Sequence, residues 1–435
     1  MPIASSNDHV RTHRRSLLVL ACLLAGLVLG AWLQAGHGGP LRDAAPVLES
    51  VGSVWLNALR MTVGPLVFAL LVSGIAGVAD AMATGRLATR AVAWFSVLLL
   101  LAGTLAVLLS AGMLALWPVD PQAASAFVAG AARNGPAPVA LTSVGEWLKS
   151  LVPSNIVQAA AEDAILALVL FATLFGFAAT RLPPTQRSAL TGFFSAMAEA
   201  MIVVVHWVLL AAPVGVFALA FGVGLHAGFG AAGVLVQYVA AVSLVIIGGT
   251  LVLYPIVGLW GTVPMRRFAV EIAPVQVVAA STQSSLATLP AMIECARDAL
   301  GVPPRVAGLV LPLAVAVFRY TSPIGNLAVC FFIATLYGFE PGPLQIATAV
   351  LVAFAVSVAA VGLPGQVSFI TSVAPICLAL GLPVELLGVL IAVEMVPDVF
   401  RTIGNVTGDL AVTTLVQRPE PVVPSRQPAT GSPRR

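Results

Sequence analysis

The sequence predicts an all-α polytopic membrane protein. The 435-residue chain is 59% hydrophobic and only 9% charged, whereas soluble domains are about half apolar and about a quarter charged. Apolar runs as long as the ~20 residues that cross a bilayer as a helix recur along nearly the whole chain. No stretch shows the alternating apolar and polar pattern of an outer-membrane barrel.

The first apolar run, at about residues 16–36, follows the basic segment 1–15. Its apolar part of about 19 residues is longer than the hydrophobic part of a typical signal peptide. We therefore expect an uncleaved first span, with residues 1–15 on the cytoplasmic side of the membrane.

Five further spans are expected before residue 263 from the length of the apolar runs. They cover about residues 46–79, 88–117, 156–181, 187–222 and 231–262. If residues 1–15 are cytoplasmic, the arginines that follow spans two, four, six and eight lie in the cytoplasm as well, as the positive-inside rule requires. Both termini are therefore expected on the cytoplasmic side.

Two later segments are apolar but interrupted. Residues 268–300 contain STQSSLATLP, and residues 343–382 contain AAVGLPGQVS. Neither half of either segment is long enough to span alone, so each is expected to be a re-entrant hairpin of two short helices, buried in protein or facing a cavity. A further span follows each hairpin, at about 304–336 and 383–416. The arrangement predicts eight transmembrane helices, two re-entrant hairpins and inverted repeats around a transporter site.

A row of polar and charged side chains marks the last span. The row consists of Glu394, Asp398, Arg401, Asn405 and Asp409, with steps of four, three, four and four residues. At about 100° per residue these side chains fall within a sector of about 80° on one helix face. Each charge costs about 2.5–3.5 kcal/mol in hydrocarbon. The row therefore predicts a polar cavity in which charges pair internally or bind a charged solute.

Other functional classes do not fit the sequence. The HExxH, GxGD-like and GxSxG motifs of membrane proteases do not occur in it, so no enzyme is expected. A channel usually displays a symmetric polar or carbonyl-lined pore, which an asymmetric row of acids, arginine and asparagine does not suit. The four cysteines lack metal-ligand spacing, and no cofactor is expected. The net charge of +3 is scattered over short connections, which predicts no nucleic-acid partner.

Four motifs, in family order, resemble the dicarboxylate/amino-acid:cation symporters, the glutamate-transporter family. They are VPSNIV before span four, SSLATLP at the first hairpin tip, GLPG at the second tip and RTIGNVTGDL in the last span. The likeness covers about residues 16–417. It implies a homotrimer in a bacterial inner membrane that works as an elevator.

The resemblance also implies how the chain is divided. Residues 16–262 would form mainly the scaffold and trimerisation domain, with spans three and six shared. Residues 263–417 would form the transport domain, which slides through the membrane with its substrate. Residues 418–435, rich in Pro, Ser and Arg, are expected to be a disordered cytoplasmic tail.

The resemblance further implies a site for an acidic amino acid or a dicarboxylate. Arg401 would hold the side-chain carboxylate, for which a planar guanidinium is suited; the alternative is an internal salt bridge with Asp398 or Glu394. Asp398 would receive the α-ammonium group, and Asn405 would contact the other polar group of the substrate. The other implied substrate residues are Thr402 in the last span, Ser284 and Ser285 at the first tip, and Gly362 and Gly365 at the second tip.

Span seven departs from the family pattern. The family's sodium motif, Asn-Met-Asp-Gly-Thr, aligns with Phe318, Arg319, Tyr320, Thr321 and Ser322. Phe318 offers no side-chain oxygen to a sodium ion, and Tyr320 offers one weak neutral oxygen. Three acids against two arginines leave a net charge of −1 around the site, where the family pattern carries −3.

Arg319 is therefore expected to replace a coupling sodium electrostatically. Coupling would be to protons, to fewer sodium ions, or absent, with Glu394 or Asp398 as proton carrier because a buried carboxyl group can exchange protons near neutral pH. Asp409 is the remaining candidate ligand for any sodium, and its alternative is a pair with Arg319. Tyr320 completes the cation-coupling candidates.

The predicted function is a symporter of acidic amino acids or C4-dicarboxylates across the plasma membrane, with altered cation coupling. The alternative is a transport-impaired substrate-binding sensor, or an uncoupled carrier or channel of the same fold.

Overall fold

The computed structural model describes residues 6–35, 45–83, 85–131, 138, 144–162, 164–359 and 365–417. Every regular element within these residues is a helix, which confirms the all-α class predicted from the sequence. Residues 1–5, the expected tail 418–435 and Gly362 lie outside the described residues.

The α-helices are numbered in chain order. Those of the first part of the chain are α1 (Ser6–Gln34), α2 (Ala45–Ala83), α3 (Arg86–Leu116), α4 (Pro121–Ala131), α5 (Val144–Leu151), α6 (Ile156–Ala161), α7 (Ile165–Ala179), α8 (Pro184–Leu210), α9 (Ala212–Ala227), α10 (Gly230–Leu251) and α11 (Leu253–Trp260). Those of the second part are α12 (Met265–Thr282), α13 (Ser285–Glu294) followed by a π-helical turn (Cys295–Ala299), α14 (Pro304–Val317), α15 (Thr321–Leu336), α16 (Pro343–Ala359), α17 (Gly365–Ala379), α18 (Leu387–Leu390) and α19 (Met395–Val416).

Six stretches within the described residues are long and apolar enough to cross a membrane. They are Leu17–Gln34, Ala45–Ala79, Arg86–Leu116, Pro184–Leu210, Gly230–Trp260 and Pro304–Leu336. The expected fourth and eighth spans are not among them, because α7 has only 15 residues and α19 carries three charged side chains. The helices are consistent with a polytopic membrane protein, and the number of eight spans stays a prediction.

Several spans expected as continuous helices are broken, and at two of the breaks a proline stands in the first turn of the helix that follows. Span five divides at Ala211, just before Pro213, and span seven is interrupted between Val317 and Thr321, just before Pro323. A proline ring clashes with the carbonyl group four residues earlier and has no N–H group to donate, so proline favours the first turn of a helix, where no such bond is made. Residues 318–320 consequently lie outside regular helix.

The last span is also divided, at the start of the charged row. α18 ends at Leu390 and α19 begins at Met395, with Pro397 in its first turn. Glu394 therefore precedes α19, whereas the sequence predicted one continuous helix for the whole row. Its carbonyl group still accepts a hydrogen bond of 3.0 Å from the N–H group of Asp398, which keeps Glu394 one turn before Asp398.

The two interrupted segments each form a pair of packed helices. α12 packs on α13, and α16 packs on α17. The first pair is joined at Gln283, which has a positive φ of 49°. α12, α13 and α14 also contact α19, while α16 and α17 contact α15. The first pair therefore lies against α19, which carries most of the charged row, and the second pair lies against α15.

The Gly26-Leu-Val-Leu-Gly30 sequence of α1 lies where α1 packs closely on α9. A Cβ atom at Gly26 would overlap the carbonyl oxygen of Phe217, and one at Gly224 of α9 would overlap that of Leu27. Small residues at such crossings let helix backbones approach each other in a membrane.

We expect Gly30→Ala to destabilise the protein. Its Cβ atom would overlap the carbonyl oxygen of Phe221 and lie 2.6 Å from the backbone nitrogen of Leu225, and backbone atoms move aside only if α1 and α9 separate. Such overpacking lowers the free energy of unfolding by about 1–3 kcal/mol, which a lower Tm in detergent would report. Gly112→Ala in α3, where a Cβ atom meets nothing within 4 Å, is the control. A Gly30→Ala protein as stable as this control would contradict the close packing.

Candidate functional site

An ion pair between Arg401 and Glu394 lies at the centre of the candidate site. Arg401 Nε donates a hydrogen bond of 2.8 Å to Glu394 Oε1, and the two side chains are only 11% and 5% exposed. The Nη1 atom of Arg401 donates to Asn326 Oδ1 of α15, also at 2.8 Å. The internal salt bridge, which the sequence left as the alternative role for Arg401, is thus formed in this structure.

Hydrogen bonds extend from this pair to helices on both sides. The hydroxyl group of Tyr238, in α10, donates to Glu394 Oε2 at 2.8 Å. Asn326 Nδ2 donates to Ser322 Oγ at 3.2 Å, and Ser357 Oγ of α16 donates to the same oxygen at 3.0 Å. The network therefore connects α10, α19, α15 and the first arm of the second helix pair.

Sequence reasoning missed most members of this network. Asn326 is polar within an apolar helix, a signal that could have marked it. Tyr238 carries no comparable signal, because a tyrosine in an apolar helix is common and its partner lies 156 residues away.

A glycine of α15 makes room for the guanidinium group. A Cβ atom at Gly325 would lie 2.5 Å from both Cζ and Nη1 of Arg401, and 2.8 Å from Nη2. The Nη2 atom is buried and has no hydrogen-bond partner among the described residues. Arg401 therefore lies against the backbone of α15, with one nitrogen still available.

Asn405 caps the second half of span seven. Its Oδ1 atom accepts a hydrogen bond of 2.9 Å from the backbone N–H group of Thr321 and lies 2.8 Å from the hydroxyl oxygen of Thr321. The first N–H groups of a helix have no partner within the helix, so Asn405 stabilises the start of α15. Thr402, by contrast, donates its hydroxyl proton to the carbonyl oxygen of Asp398, in its own helix.

Asp409 is fully buried, and neither of its carboxyl oxygens has a hydrogen-bond partner among the described residues. Its neighbour Gly408 lies against Tyr320 and Phe318, because a Cβ atom there would be 2.9 Å from Tyr320 Cβ and 3.3 Å from Phe318 Cε1. A carboxylate buried without partners is costly. The group therefore needs either a proton or a cation.

The residues aligned with the sodium motif have packing roles. The ring of Phe318 stacks on Phe95 of α3, with the centroids 4.7 Å apart and the planes at 13°. The hydroxyl group of Tyr320 donates to the carbonyl oxygen of Gly249 at 2.9 Å. Phe318 has no oxygen to offer a cation, and the hydroxyl proton of Tyr320 is directed at Gly249.

Arg319 lies in the break of span seven and contacts the second helix pair. Its Nη1 atom donates a hydrogen bond of 3.1 Å to Ser368 Oγ of α17. The pair between Arg319 and Asp409, which the sequence left open, is not formed, since the oxygens of Asp409 have no partner within the described residues.

Ser284 caps α13 at the tip of the first helix pair. Its Oγ atom accepts a hydrogen bond of 3.2 Å from the N–H group of Ala287, and its carbonyl oxygen accepts one of 2.8 Å from Thr288 Oγ1. Ser285 is the first residue of α13, and Gly365 is the first residue of α17. At both positions a helix therefore begins, with its N–H groups directed away from the helix body.

We expect Asp409→Asn to leave the stability of the protein equal or to raise it. An amide group without partners costs less than a buried unpaired charge. Glu394→Ala should instead lower the free energy of unfolding by about 3–5 kcal/mol, because it leaves the charge of Arg401 unpaired. Thermal unfolding of both variants in sodium-free detergent would measure this contrast. If the two variants lost stability equally, Asp409 would have a stabilising partner that this arrangement does not contain.

Comparisons with known proteins agree with these features. The family described as the sodium:dicarboxylate symporter family matches residues 16–419. The proton/glutamate-aspartate symporter of Escherichia coli (strain K12) is 30% identical over 408 residues, which cover 92% of this chain and 91% of that relative.

Relatives that carry neutral amino acids are similar to the same extent. The human neutral amino acid transporter B(0) is 32% identical over 457 residues, covering 95% of this chain and 82% of that relative. The human neutral amino acid transporter A is 32% identical over 439 residues, covering 91% and 80% respectively.

Proposed function

Because the chain belongs to the sodium:dicarboxylate symporter family, we propose that it carries acidic amino acids or C4-dicarboxylates across the plasma membrane by symport, with altered cation coupling. Its relatives are transporters and not enzymes, in agreement with the motifs that the sequence lacks. The observation that carries the proposal is the buried ion pair between Arg401 of α19 and Glu394, the residue just before that helix.

The choice of substrate rests on Arg401 and Asp398. They lie one turn apart near the start of α19, the helix on which α12, α13 and α14 pack. A guanidinium group can hold the distal carboxylate of a substrate, and a carboxylate can hold its ammonium group. Ser284 and Ser285 would supply hydroxyl groups and the helix N-terminus of α13, which favours an anion. Asn405 and Thr402 lie on α19 as well.

Altered coupling is supported by the surroundings of Asp409. The positions aligned with sodium ligands hold Phe318 and Tyr320. The ring of Phe318 stacks on Phe95, and the hydroxyl group of Tyr320 donates to Gly249. Arg319 brings a permanent positive charge to the same break in span seven. A site with fewer acids and one more arginine needs fewer bound cations. The E. coli relative, by its name, uses protons, and Glu394 or Asp398 would carry the proton here.

The architecture proposed with this function has eight spans and two re-entrant hairpins, α12–α13 and α16–α17. Residues 263–417 would move as the transport domain of an elevator against a scaffold formed mainly by residues 16–262. The protein would be a homotrimer in a bacterial inner membrane, with residues 1–15 and 418–435 in the cytoplasm. The helix pairs that pack on α15 and α19 support this division.

The internal hydrogen bonds of Arg401 favour a second candidate function. Two nitrogens of Arg401 are bound within the protein, and Asp409 has lost its usual cation-binding neighbours. A sensor that binds substrate without transporting it, or an uncoupled carrier or channel, would have these properties. Binding without uptake would favour it.

Uptake into proteoliposomes under imposed gradients tests the coupling. We expect an inward proton gradient to drive accumulation of aspartate or succinate in sodium-free buffer, because carboxyl groups of the site can carry the proton. Liposomes without protein and gradients collapsed by an ionophore are the controls. Strict dependence on several sodium ions per transport cycle would refute altered coupling.

Substitution of the arginine tests the substrate site. We expect Arg401→Ala to abolish recognition of acidic substrates, because a buried carboxylate would lose its charge partner, and to leave weak binding of neutral amino acids. Competition of unlabelled amino acids with radiolabelled aspartate would measure both effects. Unchanged affinity for aspartate and glutamate would refute the role assigned to Arg401.

A further inference from the structure

The position of Arg401 in this structure depends on a glycine at 325. Cβ atoms in proteins essentially never lie closer than 3.0 Å to another heavy atom, yet one at Gly325 would lie 2.5 Å from the Cζ atom of Arg401. Any other residue at this position would push the guanidinium group away from α15. Glycine in a helix interior costs roughly 0.5–1 kcal/mol relative to alanine, so helix propensity does not explain its presence.

In this position two of the three guanidinium nitrogens of Arg401 already donate hydrogen bonds within the protein. Nε is bound by Glu394 and Nη1 by Asn326, at 2.8 Å each, while Nη2 is buried and has no partner among the described residues. A carboxylate is bound most strongly by two parallel N–H groups of a guanidinium group. One remaining nitrogen suits a neutral acceptor, such as an amide or a hydroxyl oxygen.

We propose, resting on the function proposed above, that Glu394 competes with the distal carboxylate of a substrate for Arg401, and that Gly325 determines specificity by allowing this competition. In the arrangement seen here, the site fits amino acids with short, neutral, polar side chains, which accept one hydrogen bond from Nη2. Acidic substrates bind only by displacing Glu394 from the guanidinium group.

Substitution of either Glu394 or Gly325 should change the substrate preference. Without the negative charge of Glu394, Arg401 loses the carboxylate that is hydrogen-bonded to its Nε atom, and a substrate carboxylate can take that place. With a methyl group at position 325, the guanidinium group leaves Glu394 and Asn326, and its flexible side chain can turn toward the substrate. Both changes act on one ion pair from different helices, and both shift preference toward acidic substrates.

Binding measurements on three variants test the proposal. Affinities for aspartate and asparagine would be measured by calorimetry on the purified full chain, for wild type, Glu394→Gln, Gly325→Ala and Gly308→Ala. Asparagine differs from aspartate only in replacing the distal carboxylate by an amide. We expect the ratio of aspartate to asparagine affinity to rise about tenfold in Glu394→Gln and Gly325→Ala. Gly308→Ala in α14, where a Cβ atom meets nothing within 4 Å, should keep the wild-type ratio.

The possible results separate this inference from the proposed function. If wild type binds aspartate but the ratio is unchanged in both folded variants, this inference is wrong and the proposed function stands. Equal loss of both affinities in a folded variant would also overturn it, because the ion pair would then be structural. Wild type that binds neither compound nor any dicarboxylate would overturn the proposed function together with it. Should Gly325→Ala not fold, Glu394→Gln decides, since glutamine keeps the size and the hydrogen-bond acceptor of Glu394.

Discussion

The buried ion pair between Arg401 and Glu394 is the contact on which the polar interior of this helix bundle depends. A charge in apolar surroundings is costly unless it is paired and hydrogen-bonded. Here the carboxylate accepts from Tyr238 of α10 and from Arg401, and the guanidinium group donates to Asn326 of α15. The pair therefore holds three helices in a defined arrangement, and it sets the direction in which the arginine points.

Prolines produce the irregular backbone that carries the site. Pro323 and Pro397 each stand in the first turn of a helix that follows a break, as the missing N–H group and the bulk of the ring require. The break before Pro323 leaves the N–H group of Thr321 without a helical partner, and Asn405 of α19 accepts its hydrogen bond. The break that precedes Pro323 therefore leads to a tertiary hydrogen bond between spans seven and eight.

Residues 318–320, which the sequence analysis aligned with a sodium motif, are held by contacts with three other helices. The ring of Phe318 stacks on α3, the hydroxyl group of Tyr320 donates to a carbonyl oxygen of α10, and Arg319 donates to α17. These contacts pack the break in span seven against α3, α10 and α17. Asp409 is fully buried, and its carboxyl oxygens have no hydrogen-bond partner among the residues that the structure describes.

Much of this protein was determined by its sequence alone, because apolar length, helical spacing and the position of prolines and glycines act locally. These signals predicted the membrane helices, the two helix pairs and the shared face of Asp398, Arg401 and Asn405. They did not predict that Arg401 would pair with Glu394, nor that Arg319 would donate to Ser368. Those outcomes were decided by the tertiary structure, because Gly325, Asn326 and Tyr238 reach Arg401 and Glu394 only when α10, α15 and α19 pack together.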